Sequence, residues 1–193
     1  MMPSVFPRPT ELAQAWVREI LCPGDHVVDA TLGNGHDALF LVHCVGATGK
    51  VIGFDIQAAA LVTSTELMDE HGIACACYEW HQVSHARMTE CLQYPVKAVM
   101  FNLGYLPGAD HKLITVVDQT IAGLQAATKI LKDDGIITVV CYSGHPGGEE
   151  EMMAVREWAC SLGDEWHVVH YEKWATRKKA PSLVALQRKD KTS

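Results

Sequence analysis

The segment Asp29-Ala30-Thr31-Leu32-Gly33-Asn34-Gly35-His36-Asp37 stands between an apolar run and a helical pattern. Glycines are needed where a backbone turns sharply and must approach a ligand without a Cβ in the way. A helix starting there also aims unpaired N–H groups at that ligand. A carboxylate such as Asp29 sits poorly beside a pyrophosphate but well beside an ammonium or sulfonium. The pattern Asp-x-x-x-Gly-x-Gly therefore points to S-adenosylmethionine, with Asp29, Thr31, Gly33, Asn34, Gly35, His36 and Asp37 as candidate contacts. A dinucleotide is disfavoured, and a purely structural tight turn is the other reading of the glycines alone.

A second carboxylate, Asp55, ends the next apolar run 22 residues beyond Gly33. At that distance an acidic side chain accepts both ribose hydroxyls of a nucleoside. Its alternative role is to cap the helix that follows. Ile56 and Gln57 flank it, and His81 and Gln82 after the third run are placed for the adenine. Trp80 is either a stacking partner there or a core residue.

The fourth run ends in Asn102-Leu103-Gly104-Tyr105-Leu106-Pro107-Gly108-Ala109-Asp110. This stretch resembles the Asn-Pro-Pro-Tyr signature of amine-directed methyltransferases, with Leu-Gly replacing Pro-Pro. An amine must aim its lone pair along the line of the departing sulfur. The Asn102 side-chain carbonyl and the Leu103 main-chain carbonyl can accept its two N–H groups and so orient it, a proximity effect. Asn102, Leu103 and Tyr105 are the candidate catalytic residues; Asn102 also borders the cofactor, and Tyr105 can pack on a substrate base. A glycine- and proline-built turn with Tyr105 in ordinary packing is the competing reading. An ammonium has no lone pair, so a proton must leave, to Asp110, His111 or water. The loop after the fifth run offers Tyr142 as a further substrate wall.

These residues need a frame, and the rest of the chain supplies one. The 193 residues are 48% hydrophobic, which suits one domain spanning 1–193. Runs 26–30, 50–55, 73–79, 96–102 and 135–143 read as buried strands, alternating with segments of helical period. A helix over about 10–21, with Thr10 as N-cap, precedes them. Runs 165–174 and 182–188 are joined too closely for a parallel crossover and are expected as antiparallel neighbours. The expectation is a Rossmann-like α/β fold: a doubly wound, mostly parallel seven-stranded sheet closed by an antiparallel C-terminal hairpin.

Other chemistries find less support. Ten histidines form no His-Glu-x-x-His spacing, and the seven cysteines form no Cys-x-x-Cys pair, so no metal is expected. The cysteines read as buried thiols, with Cys75 and Cys77 sharing one face of a strand. No apolar run approaches the roughly 18–20 residues needed to span a bilayer, and the N-terminus does not read as a secretory signal. A cytoplasmic protein without a membrane is the expectation. The net charge of −7 disfavours indiscriminate nucleic-acid coating. From Lys173 onward, however, seven basic residues face one acidic residue, net +6, leaving −13 for everything before. Arg177 and Lys178 in that strip are candidate contacts to a polyanion; a solvated segment ending in a frayed tail over 188–193 is the plain alternative.

With segments 29–37, 54–57, 81–82 and 102–110, the chain resembles the bacterial rRNA methylase family over nearly its whole length. The resemblance implies a class I, S-adenosylmethionine-dependent methyltransferase. Members look to be tRNA methyltransferases that convert wobble 5-aminomethyl-2-thiouridine to its methylaminomethyl form. It therefore implies that Asn102 clamps the aminomethyl nitrogen and that the tRNA anticodon region is the partner; it leaves a homodimer open. The family tail carries an Asn and two adjacent prolines, whereas here Arg177-Lys178-Lys179-Ala180-Pro181-Ser182 keeps only Pro181. A single-stranded loop offers a splayed base and few phosphates, which an acidic protein with one basic strip can bind. The competing functions are methylation of rRNA or a small molecule, a non-catalytic nucleoside- or RNA-binding module, and, least supported, an NAD-dependent oxidoreductase.

Overall fold

The computed structural model describes residues 5–104, 117–174 and 180–189. Seven strands form one sheet: β1 (His26–Asp29), β2 (Lys50–Asp55), β3 (Tyr78–Gln82), β4 (Val96–Leu103), β5 (Leu131–Cys141), β6 (Trp166–Glu172) and β7 (Ser182–Arg188). Their spatial order is β3-β2-β1-β4-β5-β7-β6. The first five run parallel, while β7 is antiparallel to both β5 and β6. The expected doubly wound sheet with an antiparallel closing hairpin is what forms.

Strand side chains alternate between faces, and two cores result. Val28, Ile52, Val99 and Phe101 fill one, facing α5 (Val117–Ile130) and α6 (Gly148–Cys160) through Leu124 and Val155. Val27, Val51, Ala98 and Met100 fill the other. That second core packs on α1 (Pro9–Ile20), α2 (His36–Val45) and α3 (Ala58–Glu70) through Ala13, Val17, Leu41 and Met68. Burial on both faces explains why the central strands read as continuous apolar runs rather than alternating ones.

Helix α1 begins one residue before the expected span, and its N-cap is Arg8 rather than Thr10. The Arg8 N–H donates to Glu11 Oε2 at 2.8 Å, so a carboxylate three residues into the helix satisfies the entry. Strand β3 is displaced from its expected place. Cys75–Cys77 form a 3₁₀ turn and the strand occupies Tyr78–Gln82. The apolar residues 73–77 showed hydrophobicity but no period capable of distinguishing a strand from a tight turn. Cys77 is buried, yet Cys75 is exposed, as are Cys22 and Cys160, which corrects the reading of the cysteines as uniformly buried. Strand β5 starts at Leu131, four residues before the expected run over 135–143, and residues 132–135 form an irregularity between the Val96–Leu131 and Ala98–Ile136 pairs with β4. Between β3 and β4 stand only a 3₁₀ turn, His85–Arg87, and the one-turn helix α4 (Met88–Cys91).

The C-terminal basic residues divide. Arg188, counted with the tail, closes β7; its guanidinium lies 4.6 Å from the Trp166 ring centroid and donates to the Thr128 carbonyl at 2.8 Å. Lys173 donates through Nζ to the Phe6 carbonyl at 3.0 Å, tying the N-terminal segment to the end of β6. Arg177 and Lys178 lie outside the described residues.

Candidate active site

Strand β1 pairs with β2 on one side and β4 on the other, so successive connections depart in opposite directions from this point. In an open parallel sheet that reversal opens a crevice at the carboxyl ends of the strands. Asp29, Asp55 and Asn102 all stand at that edge, on β1, β2 and β4.

The loop after β1 is built for close approach. Gly33 and Gly35 have φ of 50° and 79°, in the left-handed region that favours glycine. Gly35 caps α2, and a Cβ there would lie 2.8 Å from Ser64 Oγ and 3.1 Å from Ser64 Cα. Ser64, fully buried on α3, donates its hydroxyl to the Gly33 carbonyl at 3.2 Å. The loop is thereby held from behind, its Gly35 N–H closing a turn on the Leu32 carbonyl at 2.8 Å, and α2 starts directly after it at His36.

Asp55 serves two partners. Its Oδ2 accepts the Gly33 N–H at 3.0 Å and its Oδ1 accepts the Gln57 N–H at 2.9 Å. The helix-entry role weighed as an alternative is therefore real, and it does not exclude the ribose role, because each carboxylate oxygen retains another lone pair. Asp29 is 1% exposed. Its Oδ1 accepts the Thr31 N–H at 3.1 Å, while its Oδ2 has no hydrogen-bond partner among the described residues. Burial first, then the neighbouring Asp37 and Asp55 carboxylates, push its carboxyl pKa up to about 8.

Three carboxylates converging on one crevice test the fit of a cofactor. They would repel a pyrophosphate and suit a ligand carrying an ammonium and a sulfonium. The orphaned Asp29 oxygen and the glycine cradle fit S-adenosylmethionine, whose cationic end these groups would hold.

Asn102 is tied to the same loop from both ends. Its main-chain N–H donates to Thr31 Oγ1 at 2.7 Å, and its Nδ2 donates to Asp37 Oδ2 at 3.3 Å. The other Asp37 oxygen accepts Gln14 Nε2 from α1 at 2.7 Å. Gln14 escaped the sequence reading; its one signal is its place on the polar side of α1, next to buried Ala13. Leu103 ends β4 with its side chain fully buried, which leaves only its main chain for the expected role. A Cβ on Gly104 would meet Tyr142 at 3.7 Å, so Tyr142 does border the Asn102 loop. Burial, and next the Asp37 carboxylate, raise the Tyr142 pKa, which keeps its hydroxyl protonated. Tyr105, Asp110 and His111 lie outside the described residues.

Other expected contacts are more peripheral. Asn34 and His36 line a surface hollow with Thr63, Glu66 and Glu70 of α3. Ile56 is half exposed, and its carbonyl accepts Gln82 Nε2 at 3.5 Å. His81 stacks on Phe54 with ring centroids 5.1 Å apart and faces Glu79 at 3.1 Å. Trp80 is partly buried and packs against the core. It stacks on Tyr78 at 4.7 Å, donates Nε1–H to Thr65 Oγ1 at 3.1 Å, and lies where a Cβ on Gly53 would meet it at 2.5 Å.

Known proteins resemble this chain in sequence and fold. A family model described as "Putative rRNA methylase" matches residues 51–187, more than two thirds of the chain, including Asp55 and Asn102. An Arabidopsis thaliana protein named tRNA (mnm(5)s(2)U34)-methyltransferase, chloroplastic, is 35% identical over 94% of this chain and 69% of its own length. A Clostridium thermocellum crystal structure described as a "putative rRNA-methylase" superposes with TM-score 0.93 at 34% identity, covering 96% of this chain and all of that one. A Streptococcus mutans "putative methyltransferase", solved in complex with SAH, gives TM-score 0.87 at 28% identity with the same coverage. With a family model matching over two thirds of its length and relatives of 34–35% identity over nearly all of it, the chain belongs to the rRNA methylase family of class I methyltransferases.

Proposed function

We propose that this S-adenosylmethionine-dependent methyltransferase acts on the aminomethyl nitrogen of wobble 5-aminomethyl-2-thiouridine in tRNA. The observation that carries this reading is the placement of Asn102, held at the crevice edge by Thr31 and Asp37 beside the acidic glycine loop. The Arabidopsis relative, named for the methylaminomethyl product of this reaction, supports the choice of substrate.

When bound, the cofactor supplies a methyl group made electrophilic by its sulfonium. Asp29 and the Gly33–Gly35 loop would hold its cationic end, and Asp55 would accept the ribose hydroxyls. Asn102 Oδ1 and the Leu103 carbonyl accept the two N–H groups of the neutral amine and aim its lone pair. Asp110, His111 or water would take the proton that the methylated nitrogen gives up. Tyr142, and Tyr105 with it, wall the base. Arg177 and Lys178 contact the anticodon backbone, a role suited to a chain whose positive charge is concentrated after Lys173.

Nucleoside mass analysis tests the substrate. Incubating protein and cofactor with tRNA that carries aminomethyl-thiouridine should add one methyl group to that nucleoside. Methylation of an rRNA fragment but not of this tRNA overturns the substrate and leaves the enzyme class intact. The described residues contain no helix long and apolar enough to cross a membrane. They also contain no group of three or more His, Cys, Asp or Glu side chains placed to hold a metal ion.

A further inference from the structure

Resting on the amine reading above, we infer that Gln14 and Asp37 form a positioning pair that fixes which end of the Asn102 amide meets the substrate. An asparagine side chain offers an acceptor at one end and two donors at the other, and a half-turn about its last bond exchanges them. Only an acceptor can hold an amine by its N–H groups and leave the lone pair free. Something must therefore choose between the two orientations.

The structure supplies the choice. Asp37 Oδ2 lies 3.3 Å from Asn102 Nδ2. An ionised carboxylate accepts and cannot donate, so the flipped amide would set oxygen against oxygen at that distance. Asp37 is itself held in place. Its Oδ1 takes the Gln14 Nε2–H at 2.7 Å, from the neighbouring helix α1. The main-chain bond from Asn102 to Thr31 at 2.7 Å fixes the strand end, so the direction of the amide is left to the Asn102 side-chain torsions and the groups that face it. Gln14, Asp37 and Asn102 thus come from α1, α2 and β4, three elements that only the fold assembles.

With Asn102 Nδ2 facing Asp37, Asn102 Oδ1 is turned to the crevice. The site then favours a nucleophile that donates N–H and disfavours one that only accepts, such as a carboxylate. The same pair confers chemoselectivity and orientation without touching the substrate, which makes Gln14 a positioning residue.

The test uses the full-length protein, S-adenosylmethionine and aminomethyl-thiouridine tRNA. Gln14→Leu retains a good helix former, and its melting temperature reports whether the fold is kept. The expected result is a fall of about tenfold in kcat, with tRNA KM and cofactor affinity changed by less than about twofold. In an Asn102→Ala background, Gln14→Leu should add less than about a further twofold, because the pair acts through that amide. Equal losses in both backgrounds overturn the inference. So does full coupling between Gln14 and Asn102 that persists in an Asp37→Asn background, because the pair would then not act through that carboxylate. A readout free of substrate separates this inference from the tRNA reading. The Asn102 side-chain NH₂, identified in ¹⁵N spectra by its loss in Asn102→Ala, should exchange slowly in the wild type and faster in Gln14→Leu. Fast exchange in the wild type overturns the positioning pair whatever the RNA substrate proves to be.

Discussion

The main-chain N–H of Gly33 donates to Asp55 Oδ2 across 3.0 Å, joining the loop after β1 to the end of β2. The carboxylate assigned to the ribose thus also braces the loop assigned to the rest of the cofactor. Each part of the proposed cofactor site is held in place by the other, so little ordering would remain to be done on binding.

Asp55→Ala should therefore cost more than one ribose contact. It frees the Gly33 and Gln57 N–H groups as well as removing the acceptor. Hydrogen bonds to a charged group are worth about 1.5–3 kcal/mol each, so cofactor affinity should fall by roughly tenfold to a hundredfold or more. Titration calorimetry with S-adenosylmethionine measures this, and an unchanged Kd would remove Asp55 from the cofactor site.

Asn102→Ala should separate catalysis from binding. Orientation of the amine is lost while Asp29, Asp55 and the glycine loop stay intact. Single-turnover methyl transfer should slow by about two orders of magnitude, with cofactor Kd within a few-fold. Parallel losses of both would assign this loop to cofactor binding instead.

Cofactor binding should depend on pH through Asp29. Burial raises its folded-state value to about 8, so the protonated form is favoured in the folded chain. The stability it contributes is fully present below the ordinary carboxylate value of about 3.9 and is lost as pH rises toward 8. A cation bound beside Asp29 favours the ionised form, so binding should release a proton and affinity should rise with pH across that window. Calorimetry in buffers of different ionisation enthalpy counts the proton. Asp29→Asn should abolish the release, and an unchanged proton count in that variant would place the titration elsewhere.

Gly35→Ala should damage both loop and stability. The added Cβ faces Ser64 Cα at 3.1 Å, a backbone atom, and φ is 79°. A loss of roughly 1–3 kcal/mol is expected from strain and overpacking together. Thermal denaturation with and without cofactor reads it. The cofactor-induced rise in Tm should shrink as well; a full rise would mean that the loop does not touch the ligand.

Much of this protein is decided by rules that act over a few residues. Continuous apolar runs marked the buried parallel strands, the glycine pair marked the tight turn into α2, and the short link between β6 and β7 required an antiparallel pair. Asp29, Asp55 and Asn102 could be found because each ends such a run, and strand ends in this topology meet at one edge. What needed the tertiary structure is everything that depends on register or on distant partners. The boundary between the Cys75–Cys77 turn and β3 rests on pairing with β2, where Val51 meets Tyr78 and Asp55 meets Gln82. That pairing places Trp80 against Gly53, packed on the core, a choice its sequence neighbours left open. The bonds from Gln14 to Asp37 and from Asp37 to Asn102 span 23 and 65 residues, and no local period encodes them. Local patterns determine which side chains reach the crevice; only packing of α1 and α2 against the sheet determines which way the Asn102 amide turns once it is there.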